Sequence, residues 1–258
     1  RRRRRNAARC GIALGLVPCA LYLASLSAWG EPRTAKVAGT FYPADPTALR
    51  TVITNALEQT QPTAAEAVPR ILILPHAGYP YSGVGAARGV REIQGRSSYD
   101  RVIVVGFTHQ DQFAGTSVDD REAYMTPLGR IPVDLEAVAF LKSQPTLHHL
   151  ERAHASSEHS LEVMLPLLQV ALGEFRLVPL LMGSATLADA EALAEALATL
   201  AERGNSLFVF STDLSHYHPY EEAVTRDTST VTAILFETPD AVDRLFRAGS
   251  LEACGRGP

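Results

Sequence analysis

Cysteine is nearly missing from this chain. It has three in 258 residues, and two of them, Cys10 and Cys19, fall within the first thirty. Beyond residue 30 only Cys254 remains, which excludes an intramolecular disulfide framework there. A lone thiol is an inert buried side chain, a link between chains, or a reactive or metal-ligating group. Positive charge is also scarce outside the first thirty residues, which hold six arginines and no acid. The rest of the chain has 18 of the 24 basic side chains against all 28 acids, a net charge near −10. A domain that acidic, with no basic stripe, is not expected to take nucleic acid as a partner. The chain has no HExxH zinc motif, internal repeat or low-complexity tract. A metal site, if there is one, has to be assembled by the fold.

Long apolar runs are confined to the N-terminal stretch. Arg1 to Arg5 and Arg9 precede an uncharged segment, Cys10 to Gly30, that ends on Ala28-Trp29-Gly30. A basic start, an apolar middle and a small-residue site read as a secretory signal, with residues 11–30 as a membrane anchor in the alternative reading. Either way residues 31–258 are expected to face away from the cytoplasm, in a periplasmic or extracellular location.

What the sequence does have is alternation of strands and helices. Arg70-Ile-Leu-Ile-Leu-Pro75 leads into His76, Arg101-Val-Ile-Val-Val-Gly106 into His109, and Ser206-Leu-Phe-Val-Phe-Ser211 into Asp213 and His216. Such short apolar runs, ending in turn-forming residues, read as buried strands of a parallel sheet. Between them, helices are expected from Asp45-Pro46 to about Glu58, from Ser82 to Ile93, over Asp134–Lys142 and over Thr186–Glu202. Two more are expected near 221–236 and 239–247. Residues 116–133 read as a hairpin or irregular excursion. Residues 144–159 read as a polar loop in which His148, His149 and His154 are solvated, as is His218 further on. The helix over Ser160–Leu172 is expected to be kinked or split at Pro166, with Ser160 as its cap and Glu162 in its first turn. The strand at 175–182 carries Pro179, which argues for an edge or a bulge. The fold class is therefore α/β, with a mostly parallel or mixed central sheet and helices on both faces.

Ligands of open α/β sheets bind outside the carboxyl ends of the strands. Three strands thus deliver His76, His109 and the pair Asp213/His216 to one rim, and imidazole with carboxylate can hold a transition metal. Taken singly, each histidine also reads as a structural or loop-capping residue. Asp213 and His216 read equally as metal ligands, as an acid–base pair, or as an Asx turn beside an exposed imidazole. His159, between Glu158 and Ser160, is a further candidate.

Five motifs then resemble one family in order: His76-Ala-Gly-Tyr-Pro-Tyr-Ser-Gly83, Gly106-Phe-Thr-His109, Ser157-Glu-His-Ser-Leu-Glu-Val-Met-Leu-Pro166, Ser211-Thr-Asp-Leu-Ser-His216 and Cys254-Gly-Arg-Gly-Pro258. Together with the opening Arg33-Thr-Ala-Lys-Val-Ala-Gly-Thr-Phe-Tyr-Pro43, they are similar to the Memo family, whose bacterial relatives are called AmmeMemoRadiSam system protein B. The resemblance implies a fold like that of LigB-type class III extradiol dioxygenases. It also implies a metal site formed by His76, His109 and Cys254, with Asp213 and His216 as the further site residues. Iron or copper is the implied cofactor, with zinc as a third choice, and non-haem, oxygen-dependent oxidoreductase chemistry is the implied activity. A small molecule or peptide is the expected partner. The alternatives are a non-catalytic peptide- or partner-binding module and a zinc-dependent hydrolase with Glu158 or Asp213 as base. The chain departs from the family pattern at Phe107, where proline is usual, and at Gln110, where a second histidine is common. It also ends at Pro258, where relatives continue with a further strand and helix; this reads as a C-terminal truncation that leaves Cys254 on a frayed terminus.

Overall fold

A computed structural model describes residues 31–63, 67–95 and 99–254. Residues 1–30, where the sequence predicts a signal or anchor, and the last four residues lie outside the described residues. The chain first forms α1 (Pro46–Glu58), with the Asp45 carboxylate accepting from the Ala48 N–H at 2.8 Å and proline in the first turn. Strand β1 (Ile71–Leu74) and helix α2 (Tyr79–Arg91) follow, then β2 (Arg101–Phe107). Next come β3 (Thr116–Val118) and the antiparallel hairpin β4 (Ala123–Thr126) and β5 (Gly129–Pro132). Helix α3 (Leu135–Lys142), strand β6 (Leu147–His148) and helix α4 (Glu151–Ala155) lead to α5 (Met164–Leu172). The chain continues through β7 (Arg176–Met182), α6 (Leu187–Glu202), β8 (Ser206–Ser211), α7 (Tyr220–Phe236) and α8 (Pro239–Arg247).

Six strands make one sheet in the order β1-β8-β2-β7-β3-β6. The first four run parallel, and β3 runs antiparallel to β7, so the sheet is mixed and mostly parallel. Helices flank it, consistent with the LigB-like fold that the resemblance implies. β2 sits at the centre because its Val102-Ile-Val-Val105 run has no polar face to offer to water, and all four side chains are buried. At the sheet edge β1 alternates, burying Leu72 and Leu74 towards α2 and leaving Ile71 and Ile73 60% and 49% exposed. β8 lies between β1 and β2, so the carboxyl ends of all three strands share one rim.

The structure corrects several sequence expectations. β7 is an interior strand despite Pro179. The Pro179 carbonyl accepts from the Asp119 N–H just past the end of β3, and the next contact on that side is Val133 against Leu177. The missing N–H therefore falls where the partner strand changes. Helix α2 starts three residues early, at Tyr79, because Pro80 suits a first turn. Ser82 lies inside it and donates to the Ala77 carbonyl instead of capping. Helix α5 starts only at Met164, so Ser160 is no cap and Glu162 lies in the turn before it. Residues 144–159 contain β6 and α4 and are not one loop.

His154 is not solvated. It lies in α4, 1% exposed, with Nε2 3.0 Å from Ser117 Oγ and Nδ1 3.4 Å from Tyr124 Oη. Burial lowers its pKa to about 4, against the pull of Asp119 and with help from His149, Arg121 and Arg33. The stability gained from a neutral buried histidine is complete above the unfolded value of 6.5 and is lost as pH falls through 4. A shift of that size corresponds to about 3 kcal/mol. In metal-free protein His76 titrates in the same window, so the informative quantity is a difference. Urea denaturation of wild type should weaken more steeply from pH 7 to pH 4.5 than that of His154→Gln. Parallel pH profiles for the two would contradict this.

Candidate metal centre

The rim is assembled from four pieces of chain. His76 follows β1 after a single proline and is fully buried. His109 follows β2 and stands at the solvent side, with its ring edge-on to that of His76 at 5.1 Å between centroids. Cys254 lies 178 residues beyond His76, yet its Sγ is 3.4 Å from His76 Nε2. One donor atom from each of these three residues lies within 4.8 Å of the others. Cys254 is not on a frayed terminus. It is 6% exposed, and its N–H donates to the Asp213 carbonyl at 2.9 Å.

The remaining sequence candidates arrive at the same place. Asp213 Oδ1 accepts from the backbone N–H groups of His76 (2.7 Å) and Ala77 (3.2 Å), which ties β8's loop to β1's. Its Oδ2 is 4.0 Å from His76 Nε2 and 3.8 Å from His216 Nε2. His216 Nε2 is also 3.8 Å from the Cys254 sulfur. The His159 ring packs 4.4 Å from both the His109 and Phe41 rings. His148, His149, His154 and His218 remain outside this group; His218 instead contacts Glu252 at 2.9 Å and Glu222 at 3.3 Å.

Electrostatics separates the two central histidines. Burial lowers His76 to about 4, with Asp213 opposing, so its imidazole is neutral at neutral pH. For His109, burial also works against charge, but Cys254 and Glu158 on either side of the ring outweigh it and raise the pKa to about 10. A metal cation between the same partners would replace that proton. His159 is lowered, chiefly by burial.

Sequence reasoning missed the layer behind these residues. Both oxygens of the buried Glu158 are engaged. Oε2 accepts from the His109 N–H at 2.5 Å, and Oε1 accepts from His109 Nδ1 (3.1 Å), His159 N (2.8 Å) and Ser160 N (2.9 Å). Burial alone would raise its pKa, but these donors hold it down at about 2. Glu158 is therefore a poor base for the hydrolase reading, and its contact with Nδ1 leaves the His109 Nε2 to face the group. Gly106 lets this segment approach β2, since a Cβ at 106 would collide with the Ser160 side chain. The only sequence signal for this layer was the Glu158-His-Ser160 string itself.

The chemistry of the donor set fits a transition metal. Two imidazole nitrogens and a thiol sulfur converge, one histidine is neutral, and each histidine's other nitrogen is bound to a protein oxygen. The fold and this rim define a class: an α/β protein with a mixed sheet, whose strand ends gather candidate donors up to 178 residues apart in the chain. The profile described as Memo-like protein matches residues 33–258, and the chain belongs to the Memo family. It is 34% identical to a MEMO1 family protein of Sulfolobus acidocaldarius over 240 residues, covering 88% of this chain and 84% of the relative. Similarity reaches the Protein memo-1 homolog of Caenorhabditis elegans, at 30% over 252 residues, 91% of this chain and 71% of that one. Among the described residues no helix is long and apolar enough to cross a membrane.

Proposed function

We propose that this protein binds one transition-metal ion through His76 Nε2, His109 Nε2 and Cys254 Sγ and carries out oxygen-dependent redox chemistry on a small molecule or peptide. The observation that carries the reading is the convergence of three donor atoms within 4.8 Å from residues so far apart in the chain. A thiolate is softer than the carboxylate of a two-histidine, one-carboxylate triad, so it tilts the set towards copper(I) or zinc, whereas iron or copper is what the family resemblance implies. When bound, iron or copper would supply a one-electron couple and open positions for a substrate. The protein's own groups do the rest. Asp213, fixed by two backbone N–H groups, turns its Oδ2 towards both His76 and His216 and is placed to accept a proton from the latter. His216 and His109 reach solvent, and His159 with Phe41 closes one wall.

Metal analysis of the protein, purified without chelator, should give close to one iron or copper per chain. His76→Ala/His109→Ala should remove it while leaving the fold intact. Unchanged metal content in the double variant would sink the donor assignment. A wild type that stays metal-free after exposure to iron(II), copper(I) and zinc(II) would favour a peptide- or partner-binding module that reuses the same rim. With metal present, oxygen consumption that is absent from the double variant tests the redox half.

A further inference from the structure

We propose that Ser211 is a positioning residue that fixes the His76 imidazole in its Nδ1–H tautomer, leaving Nε2 as a bare lone pair aimed at Cys254. Ser211 is the last residue of β8, opposite Leu74 of β1, and is buried beside the His76 ring. Its Oγ is 2.8 Å from His76 Nδ1 and 2.6 Å from the Ser160 carbonyl oxygen. A hydroxyl has one hydrogen, and a carbonyl can only accept. If the hydrogen pointed at Nδ1, two oxygens would face each other at 2.6 Å in a buried space with no proton between them. The hydrogen therefore goes to Ser160, and Ser211 Oγ accepts from Nδ1–H. A neutral imidazole carries one N–H, so the nitrogen facing Cys254 carries none.

Ser160 is itself held. Its Oγ donates to the Phe107 carbonyl at 2.9 Å and its N–H to Glu158. The segment that orients His109 through Glu158 thus orients His76 through Ser160 and Ser211. The Nδ1–H assignment stands on this hydrogen-bond chain, and the bare Nε2 follows from it because a fully buried ring is neutral; the consequence for metal affinity rests on the metal reading above.

The test uses the full chain, metal-free and labelled with 15N at histidine, with His76 signals assigned by their loss in His76→Gln. Long-range 1H–15N correlations at neutral pH should show a protonated Nδ1 and an unprotonated Nε2. Ser211→Ala should give mixed tautomers and bind zinc(II) and copper(I) about 10–100-fold more weakly by chelator competition. Ser211→Thr, which keeps the hydroxyl, should restore both. A protonated Nε2 in wild type would overturn the proposal whatever metal does, and so would Ser211→Ala with unchanged tautomer and affinity. A wild type with the stated tautomer that binds neither ion would instead defeat the metal reading and leave the tautomer assignment standing.

Discussion

Glu158→Ala should destabilise the metal-free protein by about 4–6 kcal/mol and weaken its metal affinity about 10–100-fold. The carboxylate is nearly inaccessible to water and accepts three backbone N–H groups and the His109 ring. Alanine leaves all four donors without a partner. Orphaning a buried donor costs about 1–3 kcal/mol, and the low end applies to the donors at His109 and His159, which water can reach. The affinity loss has a different origin. Without Glu158 the His109 ring is free to rotate, and Nε2, the nitrogen proposed to bind metal, is no longer held facing the group. Glu158→Gln separates the two effects. It keeps the shape but offers one acceptor oxygen, and its NH2 meets N–H groups, so it should fall between wild type and alanine. Urea denaturation at constant m and chelator competition measure the two losses. An alanine variant with the wild-type midpoint would show that these hydrogen bonds do not hold the segment.

The second large effect lies further from the rim. Arg33→Met should cost about 3–5 kcal/mol and lower Tm by on the order of 10 °C. Arg33 is buried, with Nη1 2.5 Å from Glu162 Oε2. Its remaining nitrogens donate to the carbonyls of His154 (2.8 Å), Glu158 (2.9 Å) and Ser156 (3.4 Å). Glu162 also accepts from the N–H groups of Lys36 and Val37 and from the Tyr42 hydroxyl at 2.6 Å, whose pKa is pushed well up by burial and by Glu162 itself. Removing the guanidinium strands a carboxylate that has no access to water. The double variant Arg33→Met/Glu162→Gln should recover part of the loss, and a coupling energy near zero in that cycle would refute the account. Because Arg33 grips the Glu158 carbonyl, the single variant should also loosen His109 and weaken metal binding.

The parts of this molecule that could be read from its residues are those whose signal is local. β1, β2 and β8 each announce themselves by an apolar run, and each is followed directly by a polar candidate, so the rim was legible before its geometry was known. The hairpin at 123–132 and the helices over 45–58, 134–142 and 186–202 carried their own breakers and caps. What could not be read depends on neighbours distant in sequence. Pro179 looked like an edge residue because the change of partner from β3 to Val133 is invisible along the chain. His154 looked solvated because the Ser117, Asp119 and Tyr124 side chains that enclose it come from another segment. Glu162 looked like a first-turn acid, yet it serves the stretch at 33–42. Cys254 entered the site only through family resemblance, since nothing near it in sequence marks it as a donor.

The distance along the chain between His76 and Cys254 also sets an order of events in time. Synthesis at about 5–20 residues per second puts roughly ten to thirty seconds between the two, a gap of 178 residues. Throughout that interval the nascent chain displays its histidines without the sulfur that gives the set its softness. The proposed metal preference therefore does not exist before Cys254 is made; it comes into being when the Cys254 segment docks against the Asp213 carbonyl. On the proposed reading, loading follows that docking, and a chain stalled or misfolded before it carries no selective site.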